Sequence, residues 1–272
     1  MLDSYFFIPG DKKKYLDKIN DLNADYIVID LEDSVSLTNK QMAFDLVNST
    51  LIQNNFFIRF QLIKSNYTDN QLIKLIKHFN GRIVLPKIES VEEIYWIKNL
   101  VKDIELSIIL LFENPISILN CTEILKTFKK NIHAISIGSH DFCSIMGIKH
   151  NSENLIQYKR QLILNAKAFN IDFIDGVNVD FNNFELFENE CKLAFDLGAN
   201  GKFLIHPIQL KEFKKIKYLS ETELNDLINI YNKIKDIPEN EIEVYVIDNK
   251  VYEKPHIKRI KFIMGKLEEN NF

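Results

Sequence analysis

Tyr26-Ile27-Val28-Ile29-Asp30-Leu31-Glu32-Asp33 is a short apolar run that ends in three acids within four residues. Four β-prone side chains without polar alternation suit a parallel strand buried on both faces. The pattern recurs along the chain. Residues 5–8 end in Pro9-Gly10, 56–58 in Arg59, 83–85 in Pro86-Lys87 and 108–112 in Glu113. Residues 134–137 end in Gly138-Ser139-His140-Asp141, 173–174 in Asp175-Gly176 and 203–205 in His206-Pro207. Helical periodicity fills most of the intervals, at 12–22, 71–79, 91–101, 116–128, 155–169 and 185–197. Eight β-α units close into a (β/α)8 barrel, whose chemistry sits at the C-terminal ends of the strands. The residues that end the runs are therefore expected to converge on one pocket.

The chain has 272 residues, close to the roughly 250 of such a barrel. The barrel is expected over 1–220 and a C-terminal helix, hairpin and helix over 221–272, acting as a lid or oligomerisation segment. In that tail, 242–247 and 250–252 read as strands joined by a turn at Asp248-Asn249, and Pro255 opens the last helix. A net charge of −4 offers no electrostatic ground for binding nucleic acid. No apolar stretch is long enough to span a bilayer. Cys121, Cys143 and Cys191 have neither metal-ligand nor disulfide-motif spacing. The opening Met1-Leu2-Asp3-Ser4 lacks a basic and apolar leader, so a cytoplasmic protein is expected.

Glu113 and Asp141 are the sharpest pair, each an acid at the end of a buried run. Two carboxylates with water suit Mg2+, a hard cation often held by one or two carboxylates plus substrate. The alternative is that each caps the following helix or pairs with a lysine. Arg59 can grip a carboxylate in a bidentate fork. Lys87 can neutralise an anionic intermediate, hold an acid of the Asp30-Glu32-Asp33 cluster, or form a Schiff base. Pro9-Gly10 lets the backbone turn closely over the mouth, where N–H groups can meet an oxyanion. His206 is either a general acid/base or a hydrogen-bonded structural residue.

These segments together resemble the HpcH/HpaI aldolase and citrate lyase superfamily, in its citrate lyase β-subunit and malyl-/citramalyl-CoA lyase branch. The matching stretches are Phe7-Ile8-Pro9-Gly10, Ile29-Asp30-Leu31-Glu32-Asp33-Ser34-Val35, Leu85-Pro86-Lys87-Ile88-Glu89-Ser90 and Phe112-Glu113. They continue through Gly138-Ser139-His140-Asp141-Phe142 and Ile174-Asp175-Gly176-Val177 to residues 201–209. The resemblance implies a barrel with Mg2+ on Glu113 and Asp141 and a 2-oxo-acid carboxylate on Arg59. Lys87, Asp30 and Glu32 would order the pocket, and Pro9, Gly10, Gly138, Ser139 and His206 would contact substrate. It implies a carbon–carbon lyase or aldolase joining or parting a 2-oxo acid (glyoxylate, pyruvate or oxaloacetate type) and an acyl thioester such as acyl-CoA. It also implies a homotrimer or hexamer. In the tail, Glu253 stands where the family carries an aspartate that serves a neighbouring subunit as acid/base. Asp3 replaces a usual arginine, and an acid there is expected to repel a carboxylate or a CoA phosphate. Malyl-type thioester hydrolysis, a CoA-free pyruvate-type aldolase, and a subunit active only in a complex are the rival readings.

Overall fold

The computed structural model describes residues 1–62, 66–238, 244–247 and 250–269. Eight parallel strands close into a barrel: β1 (Asp3–Pro9), β2 (Tyr26–Asp30), β3 (Phe56–Arg59), β4 (Arg82–Leu85), β5 (Ser107–Phe112), β6 (Ile132–Ile137), β7 (Asp172–Asp175) and β8 (Gly201–Leu204). Each pairs with the next, and closure sets Asp3 opposite Gly201 and Phe6 opposite Leu204. Every expected run forms a strand, generally extended by a residue or two into its flanks. The expected helix at 12–22 instead splits into one turn, Lys13–Leu16, and a 3-10 turn, Ile19–Asp21. Lys12 supplies no side-chain cap there, and Asn20 and Asp21 are poor helix formers. Two helices that the periodicity did not show, Lys40–Ser49 and Ser139–Met146, complete the frame of the mouth.

Side chains alternate along each strand. One face, represented by Tyr5, Val28, Phe57, Val84, Ile109, Leu111, Ala134, Ile174 and Phe203, forms a single cluster inside the barrel. The other parity, including Ile27, Ile29, Ile58, Ile83 and Leu110, is also fully buried. This explains why the runs lack alternation. Each large apolar side chain buried in this way is worth about 1.5–3 kcal/mol. At the N-terminal end of the barrel Tyr5 and Tyr26 stack at 4.4 Å, and the Tyr5 hydroxyl and His133 Nε2 share a 2.9 Å hydrogen bond. That end is plugged.

The described residues divide into two compact units, one within 2–215 and the other from 216 onward with Met1. In the second, helix Glu221–Ile234, antiparallel strands β9 (Tyr245–Ile247) and β10 (Lys250–Tyr252), and helix Lys254–Glu269 follow in order. Ile230, Ile234, Ile247, Ile257, Ile260 and Met264 are their common core. The expected turn at Asp248-Asn249, and residues 242–243 of the first expected strand, lie outside the described residues. No described helix is long and apolar enough to cross a membrane.

Candidate active site

Asp30 and Arg59 share the inward parity of Val28 and Phe57, and the register sets them opposite each other on β2 and β3. Arg59 Nε donates to Asp30 Oδ1 and Nη2 to Oδ2, both at 2.7 Å. Asp30 also accepts from the backbone N–H of Glu32 at 2.8 Å and of Ser34 at 3.1 Å. Burial alone would raise the Asp30 pKa, but the Arg59 charge and these hydrogen bonds outweigh it and hold it below the ordinary carboxylate range. Asp30 therefore occupies one edge of the guanidinium and folds the acidic loop after β2. The Arg59 guanidinium carbon lies 4.8 Å above the Phe7 ring. Lys40 escaped the sequence reading because a lysine opening a helix is an ordinary surface pattern. Its buried ammonium clamps the same loop through Leu31 O at 2.7 Å and Glu32 O at 2.6 Å.

Strand parity would turn Lys87 outward. Its φ of 58° instead places it in the left-handed region, at a cost of about 1–3 kcal/mol for a residue with a Cβ. That turn carries Nζ to 2.6 Å from Glu32, 3.4 Å from Asp33 and 3.6 Å from Asp141. Burial pulls the Lys87 pKa down, but the Glu32 hydrogen bond and charge prevail and raise it above the usual lysine value. With Nζ held among three carboxylates, charge neutralisation is the role this geometry supports. Lys87 is a fixed cation.

Glu113 is buried at the end of β5, beneath Gly138 of β6. A Cβ at position 138 would stand 2.5 Å from Glu113 Oε1 and 2.7 Å from Cδ, so only glycine leaves this carboxylate its place. Glu113 does not cap the following helix. Asn114 does, its Oδ1 accepting from Ser117 N at 2.8 Å. Glu113 Oε2 is buried without a hydrogen-bond partner. Burial, then the Glu32 charge, push its pKa up to about 8. Asp141, in the first turn of Ser139–Met146, is half-exposed. A buried carboxylate oxygen lacking a partner, cradled beside a second carboxylate, fits a hard divalent cation. Among the described residues no three His, Cys, Asp or Glu groups converge as a metal cage. Two carboxylates completed by water and substrate are a characteristic Mg2+ site.

Glu113 and Asp141 both border two cavities. One, about 410 Å3, also takes in Pro9, Asp30, Arg59, Gly138 and Ser139. The other, about 400 Å3, takes in Gln61, Lys87, Glu89 and Asn114. The carboxylate pair thus stands at a junction.

Several expectations change. Gly10 N–H donates to Asp30 O at 2.8 Å, so it is not offered to an oxyanion. His206 does not line the cavity. Its Nδ1 accepts from Ile208 N at 3.2 Å, capping helix Pro207–Phe213, and its ring stacks on Phe181 at 4.6 Å. Asp175 does not enter the mouth. Ile174 takes the inward place and Asp175 is fully buried on the opposite face, with Lys202 and Lys159 each at 2.6 Å. Asp3 begins β1, six residues before Pro9, about 20 Å from the mouth, and cannot repel a ligand there. A Ser139–His150 pairing, invisible in sequence, joins Oγ and Nε2 at 2.8 Å, and His150 stacks on His140 at 4.0 Å. Glu253 lies in the second unit, exposed, at the start of the last helix. Its backbone N–H donates to His256 Nδ1 at 3.1 Å.

A family model described as HpcH/HpaI aldolase/citrate lyase matches residues 3–207. A (3S)-malyl-CoA thioesterase of Cereibacter sphaeroides is 27% identical over 97% of this chain and 94% of its own. The citrate lyase subunit beta of Leuconostoc mesenteroides subsp. cremoris is 25% identical over 97% and 93%. Among solved structures, CitE from Mycobacterium tuberculosis, in complex with magnesium, acetoacetate and coenzyme A, superposes with a TM-score of 0.82 at 19% identity, covering 97% of both chains. Barrel, mouth and sequence agree: the chain belongs to the HpcH/HpaI aldolase/citrate lyase family.

Proposed function

We propose that the protein is a Mg2+-dependent carbon–carbon lyase or aldolase that parts or joins a 2-oxo acid and the enolate of an acyl thioester. The observation that carries this reading is Glu113: a buried carboxylate, one oxygen without a partner, beside Asp141 at the junction of two cavities. Mg2+ held by Glu113 and Asp141 would act as a Lewis acid on the 2-oxo group. Arg59 would hold the substrate carboxylate through Nη1, which Asp30 leaves free and which lies 3.5 Å from Glu32 Oε2. Lys87, anchored by Glu32, keeps positive charge beside the reacting oxygens. Glu253 moves the proton, reaching the mouth of a neighbouring subunit in a trimer or hexamer. The thioester carrier is CoA or a related thiol. The three buried free cysteines suit a reducing compartment, the cytoplasm.

Methyl-proton exchange in D2O, followed by NMR, tests this. With Mg2+ and oxalate, acetyl-CoA exchange is expected in wild type and absent in Glu113→Ala. Exchange of pyruvate alone would make the protein a CoA-free aldolase. Absence of any exchange on either compound would overturn the reading of the isolated chain as a lyase.

Hydrolysis of a malyl-type thioester is a second reading. It is favoured by the malyl-CoA thioesterase relatives and by the Ser139–His150 hydrogen bond beside the carboxylate pair. Free malate released without glyoxylate is its signature. The likeness to a citrate lyase β subunit leaves a third arrangement, in which the chain turns over only with an acyl-carrier partner.

A further inference from the structure

We infer that the 2-oxo acid taken by this site is a monocarboxylate, with hydrogen or a short alkyl group on the keto carbon, and that a dicarboxylate such as oxaloacetate is rejected. The inference rests on the reading of the site given above. β6 and β7 both place glycine in the inward layer at the mouth. A Cβ at Gly176 would come within 3.2 Å of Ile137 O and 3.5 Å of Ser139 Oγ. With no side chain at Gly138 or Gly176, the cavity opens down to the next inward layer. That floor is Phe7, Leu111 and Phe203, with the Phe7 and Phe203 rings 4.9 Å apart. Val177 and Ile205 add further apolar surface.

Arg59 is the one lysine or arginine among the described residues bordering this cavity, and it rests on Phe7. A carboxylate gripped by Arg59 therefore leaves the rest of the molecule over aromatic and aliphatic carbon. Among the described residues, the acids on the cavity are Asp30, which Arg59 pairs, Asp33, and the proposed metal ligands Glu113 and Asp141. A methyl or ethyl group gains from burial against that floor. A second carboxylate carried away from Arg59 and the metal would lose its water to that apolar floor, where no second lysine or arginine among the described residues borders the cavity to pair with it. Selectivity between pyruvate and oxaloacetate is then set by unpaired charge. Sites that leave a buried charge or polar group unpaired discriminate far more strongly than sites that merely miss a methylene.

Saturation-transfer NMR on the Mg2+-loaded full-length protein tests this with pyruvate, 2-oxobutyrate and oxaloacetate, since oxaloacetate and any pyruvate formed from it give separate signals. Each monocarboxylate is expected to bind at least about tenfold more tightly than oxaloacetate. Ile205 is 39% exposed, so Ile205→Arg can add a cation without burying it. That variant is expected to shift the preference about tenfold toward oxaloacetate. Oxaloacetate binding as tightly as pyruvate in wild type would overturn the inference and leave the lyase reading standing. An unchanged preference in a folded Ile205→Arg would overturn the assignment of selectivity to the charge of this cavity. Binding of none of the three would remove the 2-oxo-acid reading and the inference together.

Discussion

Gly138, just after β6, lies against Glu113, just after β5, so closely that a methyl group at 138 would overlap the glutamate side chain. The carboxylate is held by absence of bulk on the next strand as much as by its own backbone. Gly138→Ala is expected to displace Glu113, weaken Mg2+ at least tenfold and cost about 1–3 kcal/mol of stability through overpacking. Calorimetric Mg2+ titration and urea unfolding read the two effects separately. Unchanged Mg2+ affinity would show that Glu113 is not the ligand.

Glu113 also predicts a pH dependence. Its folded pKa is raised to about 8, chiefly by burial and then by the Glu32 charge, so the metal-free fold binds a proton that the unfolded chain has released. Stability of the metal-free protein should therefore fall as pH rises from the ordinary carboxylate range through about 8, by an amount on the order of 4 kcal/mol. Glu113→Gln should abolish that decline. Mg2+ competes with the same proton, so its affinity should rise across the same interval. Denaturant midpoints measured from pH 5 to 9, with and without Mg2+, check both.

Arg59→Lys keeps the charge and removes the planar fork that Asp30 grips at two points. A lysine cannot satisfy Asp30 and a substrate carboxylate together. Affinity for the 2-oxo acid should fall about a hundredfold, equivalent to losing one charge-assisted pair of hydrogen bonds. Mg2+ affinity should hardly move. Equal losses in both would mean that Arg59 shapes the site without touching the substrate.

Asp175 with Lys202 and Lys159 makes a different prediction, because it lies away from the mouth. Burial would raise the Asp175 pKa, but the two ammonium groups dominate and hold it at about 2. Its stabilising contribution is complete above the unfolded value and is lost as pH falls toward about 2. Asp175→Asn should cost about 3–5 kcal/mol, since it strands the buried Lys202. The double change Asp175→Leu with Lys202→Met should recover much of that loss. Urea denaturation of the three variants tests the order.

Glu253→Gln should abolish turnover while leaving Mg2+ and 2-oxo-acid binding intact. If Glu253 serves a neighbouring subunit, mixing inactive Glu253→Gln with inactive Glu113→Ala should restore a fraction of wild-type activity through mixed oligomers. No recovery after verified subunit exchange would place the proton transfer within one chain, or on another group.

The barrel was legible because its strands are uniformly apolar and its mouth residues interrupt them sharply. Asp30, Arg59 and Glu113 could be assigned to one pocket from their places at the ends of runs. Lys87 reaches the same pocket only because its backbone adopts a left-handed conformation, which no residue pattern in this chain announced. Asp175 carries the same signature as Asp30, yet it faces the other way, because alternation on β7 gives the inward place to Ile174. Gly10 departs from expectation in a related manner, and His206 takes the hydrogen-bonded structural role that stood as its alternative. Each has the right chemistry for the mouth, but local backbone groups already use it.

The order of strands, the acids and cations that end them, and the apolar mass that closes the barrel follow from residue type and period, which act over a few neighbours. Partnership does not. Arg59 meets Asp30 across 29 residues, Lys87 meets Glu32 across 55, and Ser139 meets His150 across a helix that sequence periodicity did not show. Those pairings depend on strand register, on which face each final residue takes, and on one left-handed turn. Barrel closure sets the first two, and packing of the whole mouth sustains the third.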